Sequence, residues 1–468
     1  MITNISISNF RAFQAAITVR IRPITILIGK NSAGKSSLIK FLLMLRQTLE
    51  SQSDQFFVTN GKHVQLGTWK DLRHTNTRER RCWDSSLRFS IDVLTDDLPS
   101  AEIQAMWQAA SRKRMITTDG NKLRLQLEIE KQPVKRESQK VKFRIRGGVH
   151  YGNRFKYGRH EVYGRLNPFA LFRKYGANNL DRVGFLRFER TDSLNDLIES
   201  VAAERFLDTL RHEFLSQRHL SPIREESQLA VQTGSPPPND VGDRGEYAMP
   251  HLADFFTNTE MHDKAAFVQK FAQIVGGIDD LTFKSKLTKI LTHIKGRNVD
   301  TQAVVSLADF GFGVSQCLPI FVQGAMHQRG QLLIVEQPES QLHSTAQLEL
   351  GSFFAELWKE RGVPSLVETH SPNIILRLRK LVKEGKLLPD DISIAYFTVE
   401  QRWRNTIDAM RDEFFYDVAS NANQKGKGFR AVSVKNLNIN ADGSLEKGLP
   451  MEFFGADLIE ALEMGAVK

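Results

Sequence analysis

An α/β fold is what this sequence predicts, with the N-terminal and C-terminal thirds forming two halves of one domain and the middle inserted between them. Three observations carry that expectation. A short β-branched run, Ile24-Thr25-Ile26-Leu27-Ile28, leads into a glycine loop and then into a segment whose apolar residues Leu38, Phe41, Leu42 and Leu45 recur at helical spacing. Strand and helix patterns alternate again between Leu332 and Phe397. Between these two stretches lies a basic segment of alternating strands.

Taken in order, Ile5-Ser6-Ile7 and residues 16–21 read as antiparallel strands around the turn Asn9-Phe10-Arg11-Ala12-Phe13. Residues 87–93, 123–129 and 141–145 alternate like half-buried strands, and the glycines and prolines between 147 and 168 mark the end of this insert. Residues 191–215 and 252–300 read as helices, separated by the loop 233–240. Leu332-Leu333-Ile334-Val335 is a strand, residues 346–361 a helix, Ser365-Leu366-Val367 a strand, and residues 392–397 another after a further helix. The expected domains are therefore an N-terminal lobe (1–98), a basic β-rich insert (99–190), a helical insert (191–300) and a C-terminal lobe (301–468).

Composition narrows the class. The chain has 468 residues, 41% hydrophobic and 25% charged, which excludes wholesale disorder and collagen-like repetition. No run approaches the roughly 18 apolar residues of a membrane span, and the start lacks the layout of a signal peptide, so a cytoplasmic protein without a membrane partner is expected. Cys82 and Cys317 are too few for a metal cluster, and a buried free thiol is the default for each. The net charge of +10 is local, since residues 121–175 carry 15 Lys and Arg against 4 Asp and Glu. The same segment holds Tyr151, Tyr157, Tyr163 and Tyr175, four of the seven tyrosines. Basic residues neutralise phosphates and interleaved aromatics stack on unpaired bases, so DNA or RNA is one reading of residues 121–175. A solvated ribbon that meets an acidic protein, or nothing, is the other.

Gly29-Lys30-Asn31-Ser32-Ala33-Gly34-Lys35-Ser36 fits G-x-x-x-x-G-K-[ST] at every fixed position. Glycines let the backbone N–H groups curl around a phosphate, and the following helix adds its N-terminal dipole. On this reading Gly29, Asn31, Gly34, Lys35, Ser36 and Ser37 bind ATP, with Lys35 on the β- and γ-phosphates and Ser36 on Mg²⁺. Such a loop needs a carboxylate at the end of a neighbouring strand, and Glu336 after Val335 supplies one, followed by Gln337, Pro338 and Glu339.

The order of NFRAF, the glycine loop, GFGVSQ, LLIVEQPESQLH and VETHS resembles the SMC/RecF/OLD branch of ABC-type ATPases over roughly the first 95 and last 170 residues. The fold this resemblance implies is an ABC-type P-loop NTPase head, α/β, carrying a basic β-rich insert and a helical insert. Such heads pair with two ATP molecules between them, so a homodimer or a higher even oligomer is expected. Within the branch the chain resembles ATPases of bacterial antiviral systems, the Septu type among them, more than the DNA-repair members. By resemblance Arg11 approaches the nucleotide, Gln65 contacts Mg²⁺, and His370 senses the γ-phosphate. Gly313, Ser315 and Gln316 sit where the signature motif is presented to the partner's γ-phosphate, although the sequence departs from the usual LSGGQ.

Gln337 stands where the family carries its general base, a glutamate. An amide orients a water but does not accept its proton, so tight ATP binding and slow hydrolysis are expected unless Glu339 or Glu336 serves as base through a water. Thus Glu336, Gln337, Glu339 and His370 form the candidate catalytic set, and Ser36, Gln65 and Glu336 the metal set. OLD-type nucleases continue into a Toprim domain with a D-x-D pair, and no D-x-D occurs in the 98 residues after His370, so a nuclease partner is expected as a separate chain. The segments 219–224 and 241–246 resemble recurrent parts of the branch, with no chemistry attached. The role expected is that of an ATP-responsive antiviral subunit. A RecF-like repair ATPase is the alternative, and a small-molecule P-loop kinase, which shares no phosphates between two heads, is disfavoured.

Overall fold

The computed structural model describes residues 2–51, 57–72, 74, 87–95, 123–128, 141–151, 154–164, 211–227, 230–232, 237–285, 291–402, 429–446 and 448. Cys82, Tyr175, most of the expected helix at 191–215 and the tail beyond residue 448 lie outside them. The chain divides into two units. Met1–Ile21, Asn31–Ser216 and Phe397–Lys435 form the first, and Arg22–Lys30, Gln217–Tyr396 and Asn436–Lys468 the second.

In the first unit, β1 (Ile2–Ser8), β2 (Ile17–Arg20), β4 (Arg88–Thr95), β5 (Leu123–Glu128), β6 (Val141–Tyr151) and β7 (Arg154–Gly164) make one antiparallel sheet in the order β2-β1-β4-β5-β6-β7. Its register sets Ile5 opposite both Val19 and Ile91, and Ile7 opposite Ile17 and Phe89. These apolar residues are buried on one face. Helix α1 (Lys35–Glu50) buries Leu38, Phe41, Leu42 and Leu45, and the Phe41 ring meets Phe10 edge-on at 5.5 Å and Phe89 at 5.0 Å.

Gly147 and Gly148, read from sequence as the end of the insert, lie inside β6 and pair with Gly158 and Tyr157 of β7. A glycine facing a glycine is tolerated in a ladder because the main-chain bonds do not depend on side chains. The register also places the basic residues. Lys142, Arg144 and Arg146 pair in register with Tyr163, Glu161 and Arg159, and Arg154 and Lys156 with Tyr151 and Val149.

In the second unit, β8 (Arg218–Leu220), β13 (Leu333–Glu336), β14 (Ser365–Glu368) and β3 (Ile24–Gly29) pair in parallel in the order β3-β14-β13-β8. Every residue of β3 and β14 is buried, as expected of strands covered on both faces. The sheet continues beyond β3 with β15 (Ile392–Arg402) and β16 (Phe429–Leu437), strands with residues in each unit. Helices α2 (Ala248–Thr257), α3 (His262–Ile274), α4 (Phe312–Met326), α5 (Ser344–Arg361) and α6 (Pro372–Lys383) complete this unit. Phe353 of α5 anchors its core, meeting Phe271 at 5.0 Å, Phe321 at 5.1 Å, Phe354 at 5.2 Å and Phe267 at 5.8 Å. Cys317 on α4 is fully buried, and burial pushes its thiol up to about 12.

The helical reading of 252–300 holds only as far as Ile274. After Gly276 and Gly277, the latter at φ 67°, the chain enters β10 (Ile278–Ser285), which pairs antiparallel with β11 (Leu291–Asn298). β9 (Ala230–Gln232) and β12 (Val304–Ser306) join the same sheet. β-branched Ile278, Thr282, Thr292 and Ile294 favour the strands. Among the described residues no helix is long and apolar enough to cross a membrane.

Two stability outcomes follow from this packing. Phe353→Ala is expected to cost about 3–5 kcal/mol in denaturant unfolding, because four rings lose their common partner. His327 is buried at the end of α4, its Nδ1 2.7 Å from the Gln323 carbonyl, and burial lowers its pKa from 6.5 to about 4. Unfolding therefore takes up a proton between those values. The neutral ring's contribution is present above pH 6.5 and is lost as pH falls toward 4, by about 2 kcal/mol at pH 5. Unfolding free energies compared at pH 7 and pH 5 are expected to show this loss, and His327→Gln to remove most of it.

Candidate functional site

The strands of the second unit end level with one another. Leu27 of β3 stands beside Glu368 of β14, and Glu368 beside Glu336 of β13. Gly29-Lys30, Thr369-His370 and Glu336-Gln337 therefore leave the sheet at one carboxyl edge, where α/β sheets bind ligands. The Thr369 N–H donates to the Leu27 carbonyl at 3.1 Å and extends the register by one residue.

From Lys30 the chain runs through Asn31–Gly34 into α1. Gly29 lies at φ 141°, Ser32 at 62° and Gly34 at 102°. In the first unit a Cβ on Gly34 would stand 2.6 Å from the Phe13 ring and 3.3 Å from the Ala12 Cβ, so the turn after β1 closes on the loop and admits only glycine there. Lys30, Asn31 and Ser32 are exposed, Lys35 at the helix start is buried, and Ser36 and Ser37 are half-buried. Positive φ values immediately before a helix N-terminus aim successive N–H groups at an anion.

Two residues carried over by resemblance also lie in the first unit. Arg11 has φ 46°, its N–H donates to the Leu72 carbonyl at 2.7 Å, and its carbonyl lies 2.8 Å from His74 Nδ1. Its guanidinium Nη1 is buried with no hydrogen-bond partner. Gln65 is exposed and donates its amide to the Gly61 carbonyl at 2.8 Å, inside its own turn.

At the edge of the second unit, Glu336 Oε1 lies 2.8 Å from His219 Nε2, and His219 Nδ1 lies 3.6 Å from Asp243. Burial works against a charged imidazole, yet the Asp243 and Glu336 carboxylates hold His219 above its ordinary pKa. Gln337 adopts φ 46° and donates its N–H to the Glu368 carbonyl at 2.7 Å. Its carbonyl accepts from the Ser340 hydroxyl at 3.0 Å. Glu339 Oε1 accepts the His370 N–H at 2.6 Å, and its buried Oε2 has no partner. Burial pushes the Glu339 pKa up, against the lowering effect of that N–H. A carboxyl whose pKa is raised by burial, with one oxygen unpaired, is a perturbed group of the kind found at functional sites. The His370 side chain is exposed.

The start of α4 packs tightly against the loop after β13. A Cβ on Gly313 would stand 2.6 Å from the Gln341 carbonyl oxygen. Ser315 is buried, its Oγ accepting from the Ser227 N–H at 3.3 Å and donating to the Ser227 hydroxyl at 3.1 Å. Gln316 is also buried, and its amide bonds the main chain of Arg224. Gly311 and Phe312 are the exposed residues at this helix start. His219, Arg224 and Asp243 come from the segments 219–224 and 241–246, to which sequence alone attaches no chemistry, and Ser227 lies three residues beyond the first. The recurrent pattern around Arg224 was the available signal, but its burial beside Glu336 was not readable from it.

Among the described residues no group of three or more His, Cys, Asp or Glu could hold a metal alone. Glu336, a carboxylate at a strand end of the second unit, is a donor of the kind that suits Mg²⁺ when most of the ion's oxygens come from phosphates and water.

A family model described as an AAA ATPase domain matches residues 1–132 and 250–375. Among solved structures, the SMC head domain from Thermotoga maritima aligns at 7% identity and TM-score 0.34, covering 85% of this chain and 94% of that one. An SMC head bound to the C-terminal winged-helix domain of ScpA aligns at 8% identity and TM-score 0.39, covering 93% and 98%. The SMC head with an extended coiled coil bound to the C-terminal domain of ScpA, derived from Pyrococcus furiosus, aligns at 9% identity and TM-score 0.36, covering 100% and 99%. No curated protein matches the sequence.

Gly34→Ala combines a positive φ with a 2.6 Å contact to Phe13. It is expected to destabilise the protein by about 1–3 kcal/mol, read as a lowered thermal midpoint.

Proposed function

We propose that this chain, which belongs to the AAA ATPase domain family, binds ATP with Mg²⁺ through residues 29–37 and hydrolyses it slowly, so that the triphosphate-bound form is a lasting state. The observation that carries the reading is the pair Glu336-Gln337 at a strand end level with the strand that leads into the glycine loop. Main-chain N–H groups and Lys35 hold the phosphates. Ser36 and Glu336, with Gln65, are the residues that would hold Mg²⁺, which supplies charge neutralisation when bound. Gln337 orients a water without accepting its proton. Glu339, raised in pKa by burial and with one buried oxygen unpaired, is the carboxylate left to receive it.

Two copies close on two nucleotides, each with Arg11 and His370 at its own phosphates and Gly313-Val314-Ser315-Gln316 offered to the other. In such a pair Ser315 first gives up its bonds to Ser227. The motif order supports a role as the ATP-responsive subunit of a bacterial antiviral complex, acting on a nuclease carried by a separate chain. The second reading, a RecF-like ATPase that loads on DNA, is favoured by the 15 Lys and Arg against 4 Asp and Glu in residues 121–175.

Four outcomes test these readings. Turnover of purified protein with Mg-ATP is expected below about 1 per second, ordinary enzymes being at or above that rate, and Lys35→Ala is expected to abolish ATP binding. Gln337→Glu is expected to raise turnover by about 10²-fold or more, and Glu339→Gln to reduce what the wild type retains; a Gln337→Glu rate equal to wild type refutes the slow-switch assignment. If the basic insert meets nucleic acid, salt-dependent DNA or RNA binding is expected to be lost when Arg154, Lys156 and Arg159 become Glu; equal binding by that variant refutes this reading. Co-purification with the product of the neighbouring gene, followed by nuclease assay with and without ATP, separates defence from repair.

A further inference from the structure

Arg224 stands in the loop after β8 and is 2% exposed, among the largest fully buried side chains of the protein. Its Nη2 donates to the Glu336 carbonyl at 2.6 Å and its Nη1 to the Gln316 carbonyl at 3.1 Å. Gln316 returns the grip, its Oε1 accepting the Arg224 N–H and its Nε2 donating to the Arg224 carbonyl, each at 3.1 Å. Three residues on, Ser227 holds Ser315. Burial lowers the guanidinium pKa to about 10, which leaves it charged at neutral pH. A cation taken out of water and met by carbonyls is a costly way to fill space, and with Nε left unpaired its two terminal nitrogens fix two main-chain atoms.

The carbonyl that Nη2 holds belongs to the peptide joining Glu336 to Gln337. The N–H of that same peptide is held by the Glu368 carbonyl at 2.7 Å. The plane is therefore gripped at its carbonyl and at its N–H, and it leads into Gln337 at φ 46°, a conformation that a glutamine adopts only when its surroundings impose it. Rotation of this plane would swing the Glu336 and Gln337 side chains together.

We propose that Arg224 is a positioning residue of the nucleotide site: it fixes the left-handed peptide that carries Glu336 and Gln337 and ties that peptide to Gln316 near the start of α4. The proposal rests on the reading of Glu336 and Gln337 as the metal-side and water-side groups. It gives the segment 219–224 a task, with His219 holding the Glu336 side chain and Arg224 its main chain. Any movement of the Ser315-Gln316 turn then reaches Glu336 through a single side chain.

The experiment compares wild type with Arg224→Met and Arg224→Lys, each confirmed folded by its thermal transition. Hydrogen exchange needs no nucleotide, and the Gln337 amide is expected to exchange about tenfold faster in Arg224→Met while the amides of β14 residues 365–367 do not change. With Mg-ATP, kcat is expected to fall about 10- to 100-fold and the half-saturating Mg²⁺ to rise, whereas Kd for ATP without Mg²⁺ stays within about threefold. Arg224→Lys is expected to recover part of kcat, since one ammonium reaches Glu336 but does not serve both carbonyls at the guanidinium's geometry. Unchanged exchange at Gln337 together with unchanged kcat and Mg²⁺ requirement in folded Arg224→Met overturns the proposal. If wild type binds no ATP, the function reading fails and the exchange measurement still decides Arg224's role. If Arg224→Met does not fold, Gln316→Leu takes its place: faster Gln337 exchange supports the proposal and a wild-type rate overturns it.

Discussion

Level strand ends are the constraint on which the rest of the second unit depends. Parallel pairing of β3, β14 and β13 in one register places the start of the glycine loop, Thr369-His370 and Glu336-Gln337 at a single edge. A slip of one residue in β13 would turn Glu336 to the other face of the sheet and remove the carboxylate from that edge. The near-complete burial of these strands fixes the register, since every residue is committed to one covered face or the other.

Charge at this edge is handled unusually. Glu336 shares an imidazole with Asp243, Glu339 leans on the main chain of His370, and Arg224 spends its donors on carbonyls. Buried ionic groups of this kind stabilise a fold weakly compared with apolar packing of the same volume. Their return is a fixed geometry at strand ends that would otherwise continue as free loops.

The glycine loop and the acid after Val335 were legible in sequence because each rests on local chain chemistry: special φ values, a helix start, a strand end. The strands of the basic insert are legible by alternation, but their full length is not, because sequence does not reveal that Gly147 meets Gly158 inside a continuous ladder. Residues 278–298 were mistaken for helix because short apolar runs fit either period. The direction of Ser315 was beyond reach for a different reason. From Val314 to Ala325 every residue of α4 is buried, so no polar face marks which way the turn points. The link between Arg224 and Glu336 joins positions 112 residues apart, and only the folded chain brings them together.

Cys317 follows the Gln316 that grips Arg224, with no path to solvent and a thiol that burial keeps protonated up to about pH 12. A protonated, enclosed sulfur does not react with alkylating reagents while α4 stays docked. The speed at which a maleimide captures this atom is therefore a clock for how often the helix leaves its seat, built into the chain without any label.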